Sequence, residues 1–343
     1  MQQINKYICD HFENDKFSIV ERLHINKDID NNPYNYHPTT RDELQELVNK
    51  LIYKRGNKAN LNDIDTSKIT DMSYIFSYSS FNGDISEWDV SKVKNMRAMF
   101  CESKFTGENG DISNWDVSNV EAMQEMFYHS KFNGNISKWD VSNVEDMSYM
   151  FAYSEFTGEN GDISNWNASK VKDMNHMFNE SEFNGDISKW DVSNVKNMNA
   201  MFCNSKFTGE NGDISNWDVS NVKHMSSMFY ESLFNGDISK WDVSNVKDMD
   251  YMFYNSEFTA KNGDISNWDV SNVKNMESMF YGSTFNGDIS EWDVNKVEDM
   301  TYMFAYSKFN GDISKWDVSN VKDMGEMFNE SPLEKNPPKW YKN

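Results

Sequence analysis

The chain has 343 residues, of which 33 are basic and 55 are acidic, so its formal charge is −22. This acidic balance argues against nucleic acid and against an anionic membrane surface as partners, because both bind basic patches. The three cysteines, Cys9, Cys101 and Cys203, are too few and too widely spaced to form a disulfide framework.

Residues 1–38 are predicted to form an N-terminal extension, either small α/β or partly irregular, with a short helix near 3–12 and a strand near 17–25. The segment lacks a basic start followed by an apolar core, so no signal peptide is predicted. No apolar run in the chain is long enough to cross a bilayer. By sequence alone we therefore expect a cytoplasmic protein without membrane insertion.

Residues 39–60 are predicted to form a capping helix and a linker. Thr40 with Glu43 fits a capping box. Apolar residues follow at helical spacing: Leu44, Leu47, Val48, Leu51 and Ile52. Gly56 suits the C-terminal end of the helix. We expect this helix over 40–55, lying across the first repeat and covering its apolar end.

Residues 61–343 are predicted to be a repeat array with a C-terminal cap at 332–343. Tryptophans recur from Trp88 to Trp316 at intervals of 24 or 27 residues, and Trp340 follows after another 24. A fixed period of this size is typical of stacked repeats. We number positions from the isoleucine of the GDIS motif. The eleven repeats then begin at Leu61, Ile85, Ile112, Ile136, Ile163, Ile187, Ile214, Ile238, Ile265, Ile289 and Ile313.

Within a repeat, Trp at position 4 and Val at position 6 alternate with polar residues, which favours a short strand. Position 11 is mostly Asp or Asn, as at a helix N-cap, and Met-Met-Phe follow at positions 12, 15 and 16, as on one face of a helical turn. The Met and Phe columns are interpreted as a continuous core shared by all repeats. The serine of position 19 is interpreted as a small residue at a bend of the chain inside each repeat. The predicted fold is an α/β repeat solenoid, a leucine-rich-repeat-like stack of about eleven strand-and-turn units with an N-terminal capping helix.

Every interval of 27 residues carries three extra residues before the GDIS motif, at 106–110, 157–161, 208–212 and 259–263. From repeat 2 onward, position 3 alternates in step, with Asn after each insertion and Lys or Glu elsewhere. These two alternations indicate a growth unit of two repeats and predict a ridge of four loops along one edge.

Two aspartate columns run along the array, one directly after the repeat-closing glycine and one at position 5. Three interpretations remain open for them: turns in which each carboxylate accepts a backbone amide two residues on, calcium bridges between repeats, or a ligand-binding face. Positions 3, 5 and 7, expected on the strand, are here termed the aspartate face. Its candidate binding residues are Asp116, Lys138, Asp140, Lys189, Asp191, Asp218, Lys240 and Asp242.

Positions 13, 14, 17, 18 and 20 vary freely between repeats, and the first four, on the predicted helical turn, are here termed the turn face. Tyrosine recurs there and gives a large contact area at a low entropic cost. The alternative candidate site is therefore Tyr149, Tyr153, Tyr251, Tyr302 and Tyr306. An unconstrained solvent face is the competing interpretation of this variability.

The recurring block GDISNWDVSNVKDMSYMFYNSKFNG, present in variants throughout 61–332, resembles the BspA-like leucine-rich repeat proteins, in the branch rich in Met-Phe and Trp-Asp-Val. The resemblance implies a leucine-rich-repeat-like fold and a role at the bacterial cell surface in binding host or neighbouring-cell components. Cell-surface localisation is thus expected from the resemblance, and a cytoplasmic one from the missing export signal.

No metal-binding helix, nucleophile elbow or phosphate loop is found in the sequence, so we expect no enzyme activity, no cofactor and no bound metal. The expected function is a binding module that presents a repetitive acidic and tyrosine-bearing surface to a protein or a glycan, as a monomer or weak oligomer. A structural rod without a specific ligand and a calcium-stabilised array are the alternatives.

Overall fold

A computed structural model describes residues 34–259 and 261–342. The short helix predicted near 3–12 and the strand predicted near 17–25 lie outside these described residues. Of the predicted N-terminal extension, only 34–38 is described, and Tyr36 there forms a parallel β-bridge with Ile64 of the first repeat.

Helix α1 spans Arg41–Arg55, within one residue of the bounds that the sequence predicts. The Thr40 side chain accepts a hydrogen bond from the Glu43 amide (3.3 Å), and the Glu43 carboxylate accepts one from the Thr39 amide (2.7 Å). Four buried side chains of α1 join the same hydrophobic core as Leu61 of repeat 1: Leu44, Leu47, Val48 and Leu51. Helix α1 therefore closes the N-terminal end of that core.

The predicted α/β solenoid fold is wrong. In the described residues, α1 is the only α-helix, a 3-10 helix spans Pro332–Lys335, and no strand is present. The repeats instead consist of consecutive hydrogen-bonded turns. They stack on one another through backbone hydrogen bonds and through isolated parallel β-bridges between position 11 of one repeat and position 11 of the next.

The predicted strand at positions 4 to 6 is replaced by two turns. In repeat 2 the Trp88 amide donates to the Ile85 carbonyl (3.2 Å), and the Val93 amide donates to the Val90 carbonyl (2.9 Å). The aspartates before and between these turns bend the chain, because Asp89 accepts the amide two residues on. Trp and Val do point into the core, but turns rather than a pleated strand place them there.

The predicted helical turn at positions 12 to 18 is also absent. In repeat 4 the amides of Met150, Ala152 and Ser154 each donate to the carbonyl three residues back, at 3.2 to 3.3 Å. The amides between them donate out of the repeat, to the next one. Consecutive turns of this kind place the two Met and the Phe side chains on one side, at the same i, i+3, i+4 spacing as a helix does. The apolar pattern of the sequence therefore could not distinguish consecutive turns from a helix.

Positions 14 and 18 have a positive φ in every repeat. The non-glycine residues among them have φ between 47 and 63°, and Gly282 has a φ of 62°. A left-handed conformation costs a non-glycine residue roughly 1–2 kcal/mol, and it persists where the surroundings over-determine the backbone. Here the neighbouring repeat does so: the Tyr149 amide donates to the Asn175 carbonyl (2.9 Å), and the Tyr153 amide to the Asn179 carbonyl (2.8 Å).

The core predicted from the Met, Phe, Trp and Val columns is confirmed, because these side chains are buried along the array. The Phe rings of position 16 stack from one repeat to the next, with centroids 5.5 to 6.0 Å apart. Each tryptophan also donates its indole N–H to the carbonyl of position 1 in the preceding repeat, as Trp190 does to Ile163 (2.9 Å).

The C-terminal end is closed by the segment predicted as a cap. The Trp340 indole N–H donates to the Ile313 carbonyl (2.9 Å), so this tryptophan keeps the register of the repeats. The Tyr341 ring packs against Phe328 with centroids 4.9 Å apart. The segment thus covers part of the apolar end of repeat 11, opposite to the end that α1 covers, and Val318, Val321 and Met324 stay half-buried there.

Candidate binding surfaces

The aspartate columns form the backbone turns that the first of the three interpretations predicts. Asp84 accepts the Ser86 amide at 3.0 Å, and Asp89 accepts the Ser91 amide at 3.0 Å. The same bond recurs in later repeats, and the two asparagines that interrupt the columns keep it, as Asn167 does with the Ser169 amide (3.1 Å). These side chains therefore accept hydrogen bonds from the backbone of their own repeat.

The aspartate-face candidates are all exposed, namely Asp116, Lys138, Asp140, Lys189, Asp191, Asp218, Lys240 and Asp242. The five aspartates each accept the amide two residues on, at 3.0 to 3.1 Å. Hydrogen bonds from the side chain and the amide of Ser142 hold the pKa of Asp140 below its ordinary value, and Ser220 does the same for Asp218. The carboxylates are thus fixed as ordered anions in a row.

The lysines of position 3 do not pair with these aspartates. The Nζ atoms of Lys189 and Lys240 each lie 3.3 Å from the amide oxygen of the position-3 asparagine in the preceding repeat, Asn165 and Asn216 respectively. The Asn and Lys alternation that the sequence shows therefore joins the two repeats of a pair. It leaves the charge of the aspartate column largely uncompensated at short range.

Metal-ligating side chains are not gathered in the part of the chain that the structure describes. No group of three or more His, Cys, Asp or Glu side chains there is arranged to hold an ion. Cys101 and Cys203 are both free thiols, and burial raises the pKa of each to about 11.

The inserted loops lie in register at the same place in alternate repeats. In the first loop, Thr106 donates its amide to the Asn82 side-chain oxygen (3.0 Å), and Asn109 donates its side-chain amide to the Asn82 carbonyl (3.0 Å). Gly107 in this loop has a φ of 87°, a conformation suited to glycine. Each loop is therefore fastened to the asparagine of the repeat before it.

The turn face carries most of the large exposed apolar side chains. Of the seven that are exposed in the described residues, five are tyrosines of positions 14 and 18: Tyr74 (38%), Tyr78 (64%), Tyr153 (39%), Tyr302 (38%) and Tyr306 (50%). Tyr149 and Tyr251 lie on the same face and are half-buried. The structure thus brings the alternative site residues together along one edge, where they form two clusters.

The first cluster lies on repeats 3 to 5. The Tyr149 ring stacks on His176 with centroids 4.3 Å apart, and Tyr128 contacts Tyr153 edge to face at 5.5 Å. Burial lowers the pKa of His176, which favours its neutral form. Burial, together with the nearby Glu180 carboxylate, raises the pKa of Tyr153 to about 12.

The second cluster lies on repeats 7 to 10. Tyr230, Tyr254 and Tyr281 stack face to face, with successive centroids 4.6 and 4.5 Å apart. Tyr281 also lies 5.2 Å from Tyr306. The Tyr251 hydroxyl donates to the Glu277 carboxylate, and burial with this bond raises the pKa of Tyr251 to about 12.

The sequence prediction missed the position-17 tyrosines that hold these clusters together: Tyr128, Tyr230, Tyr254 and Tyr281. Their signal was present in the sequence, since tyrosine recurs at position 17 as it does at positions 14 and 18. The observed turns bring the position-17 ring of one repeat into contact with the position-14 ring of the next, as Tyr128 does with Tyr149 and Tyr230 with Tyr251.

These features define the class of protein: repeats of one kind share a continuous core and leave two ordered side-chain faces. The chain belongs to the family described as "Mycoplasma protein of unknown function, DUF285", which matches residues 43–159, 152–262 and 255–341. This match confirms a repeat protein of that family, while assignment to the BspA-like leucine-rich repeats stays a prediction.

No curated protein and no solved structure matches this chain. Among the described residues, none of the helices has the length and apolar character needed to span a membrane.

Proposed function

We propose that this chain is a non-enzymatic binding module that uses its turn face to hold a protein partner. Exposure of the tyrosines carries the proposal, because five of the seven exposed large apolar side chains of the described residues lie on this one edge. A concentration of exposed aromatic side chains is unusual for a surface without a partner, and tyrosine is enriched where proteins bind.

The backbone of the turn face supports this proposal. Positions 14 and 18 are held by hydrogen bonds to the next repeat whatever side chain they carry, as Ala98 and Tyr149 illustrate with donor–acceptor distances of 2.8 and 2.9 Å. Side chains at these positions are therefore free to vary without altering the fold. A rigid backbone also reduces the entropy that a partner must overcome on binding.

The aspartate face is the weaker candidate, because its carboxylates already accept backbone amides. Asp140 and Asp191 hold turns of their own repeats, at 3.0 Å from the amide in each case. Their regularity is explained by folding alone.

The experiment compares two variants of the full chain on a peptide library and a glycan array. The turn-face variant carries Tyr149→Ser, Tyr153→Ser, Tyr302→Ser and Tyr306→Ser. The aspartate-face variant carries Asp140→Asn, Lys189→Gln and Asp191→Asn. We expect the wild type and the aspartate-face variant to bind the same peptides, and the turn-face variant to lose them.

Three outcomes overturn the proposal: loss of binding in the aspartate-face variant alone, turn-face binding confined to the glycans, or no binding by the wild type to either set. Thermal melting of each variant shows whether it remains folded.

A further inference from the structure

A shallow groove of about 490 Å³ crosses the second tyrosine cluster on the turn face of repeats 8 to 11. Its aromatic lining consists of Tyr251, Tyr254, Tyr281, Tyr302 and Tyr306, and its acidic lining of Glu277 and Glu326. A second cavity of about 370 Å³ shares Glu326 with it and continues toward the C-terminal cap, where Glu334 and Tyr341 line it. The two cavities adjoin, because Glu326 and Asn329 line both of them.

The groove carboxylates are not neutralised by the protein. Lys or Arg side chains form ion pairs with Glu121, Glu125, Glu145, Glu155, Glu291 and Glu298. Within the described residues neither Glu277 nor Glu326 takes part in such a pair, and the groove lining contains no Lys or Arg. Glu277 accepts a hydrogen bond from the Tyr251 hydroxyl, which orients the carboxylate without cancelling its charge.

Two exposed rings beside these carboxylates can meet a cation, Tyr302 (38%) and Tyr306 (50%). Tyr254 and Tyr281 stack on each other with centroids 4.5 Å apart, and Tyr306 lies 5.2 Å from Tyr281 at an angle of 49°. The negative face of an aromatic ring attracts an ammonium or guanidinium group, and the attraction increases when a carboxylate lies nearby.

The first tyrosine cluster has similar residues, but one of its rings and one nearby carboxylate have partners within the chain. His176 stacks on Tyr149 at 4.3 Å and so occupies the ring face. Arg97 pairs with Glu125 at 2.9 Å and supplies the cation from within the chain. One ring face and one carboxylate of this region are thus already occupied from within the chain.

We propose that the groove of repeats 8 to 11 binds the lysine or arginine side chains of a basic polypeptide segment, an inference that rests on the proposed function. The carboxylates and the ring faces select the cationic side chain. Two adjoining shallow cavities suit a stretched peptide better than a small ligand, which needs a pocket that buries most of its surface. Since the chain carries a formal charge of −22, a basic partner is also drawn toward it over a longer range.

The test measures binding of fluorescent peptides of equal length to the full chain at physiological salt. The peptides alternate glycine with lysine, arginine, glutamine or glutamate. We expect the lysine and arginine peptides to bind and the other two to show no binding. Replacing Glu277 and Glu326 together by Gln, or Tyr302 and Tyr306 together by Ala, is expected to weaken binding by about tenfold or more.

Two matched controls separate the groove from general charge attraction. Glu159→Gln with Glu210→Gln removes the same charge from the inserted loops, which are exposed on another edge. Tyr53→Ala removes an exposed ring from helix α1, outside the turn face. Both controls are expected to change the affinity by less than about twofold, because neither touches the groove.

The inference is overturned if the loop control weakens binding as much as the groove variant, or if the glutamine peptide binds as tightly as the lysine peptide. If library peptides without a positive charge bind to the turn face and depend on its tyrosines, the proposed function stands and this inference fails. If no peptide in either experiment depends on the turn face, both fail. Thermal melting confirms that each variant is folded.

Discussion

The backbone turns of the aspartate face and those of the turn face are held by different groups. On the aspartate face, side chains bend the backbone, as Asp89 does by accepting the Ser91 amide at 3.0 Å. On the turn face, the backbone of the next repeat fixes the turn, as Asn175 does by accepting the Tyr149 amide at 2.9 Å. Where side chains hold the turns, the residue types are the same in nearly every repeat. Where the backbone of the next repeat holds the turns, the residue types are free to vary. This explains why the sequence is regular on one edge and variable on the other.

A proline on the turn face should have the largest effect. Ser227 has a φ of 57°, and its amide donates to the Asp250 carbonyl at 2.8 Å. Ser227→Pro removes the donor and requires a negative φ, so we expect a loss of about 3 kcal/mol or more in the free energy of unfolding. Denaturant titration followed by circular dichroism measures it. The control is Ser227→Gly, which keeps both the donor and the φ; equal midpoints for the two variants would contradict a backbone-determined turn.

Loss of an aspartate side chain should have a smaller effect. Asp140→Ala removes the acceptor of the Ser142 amide, and we expect a loss of about 0.5–1.5 kcal/mol in the free energy of unfolding. Asp140→Asn keeps an acceptor oxygen, as Asn167 does at the same position of repeat 5 with the Ser169 amide (3.1 Å), so its stability should match the wild type. If Asn proves as destabilising as Ala, the charge rather than the hydrogen bond holds the turn.

Acid should lower the stability of the chain by protonating the aspartates of the aspartate face. The pKa of Asp140, Asp218 and Asp269 is lowered in the folded chain, first by hydrogen bonds from the serine side chain two residues on. A lowered pKa contributes stability above the unfolded-state value of about 3.9, and this contribution is lost as the pH falls through the folded value. Melting temperatures measured from pH 7 to pH 3 should therefore drop most steeply below about pH 4.

The matched variant for this measurement replaces the three aspartates by asparagine, which does not titrate. Its acid-induced drop should be smaller than that of the wild type. An identical drop would show that other carboxylates dominate the acid response.

Removal of a turn-face tyrosine should have the smallest effect on stability. Tyr306 is 50% exposed, and alanine already occupies a positive-φ position at Ala98 and Ala200. We expect Tyr306→Ala to change the free energy of unfolding by less than about 0.5 kcal/mol, as for other exposed positions. Trp217→Phe is the contrasting variant, because it removes a buried indole donor to the Ile187 carbonyl (3.1 Å). If Tyr306→Ala destabilised the chain as much as Trp217→Phe, the turn face would be structural.

The sequence predicted which side chains are buried but not the backbone that buries them. Helix α1 followed from its capping residues and apolar spacing, and the Met and Phe columns identified the core. The predicted strand and the predicted helical turn were wrong because successive turns produce the same sequence patterns. These patterns are the alternation of Trp and Val with polar residues and the Met-Met-Phe spacing of three and four. The decisive quantity, a positive φ at residues such as Tyr149 and Glu125, carries no signal in residue type.

The candidate site was predictable in part. Tyrosine at positions 14 and 18 identified the turn face, and the structure adds the exposure that separates these residues from the core. The groove could not be predicted, because it depends on Glu277 and Glu326 meeting tyrosines from other repeats. Equally, the pairing of Arg97 with Glu125, which neutralises one carboxylate near the first cluster, requires the register between repeats.

The hydrogen bonds from each repeat to the next have a consequence for the rate of folding. They join residues about 25 positions apart wherever they occur along the array, so their sequence separation does not grow with the length of the chain. In a repeat array of this kind, folding can nucleate in any repeat and then propagate to both ends. Lengthening the array by further repeats would therefore add stability without slowing the initial step.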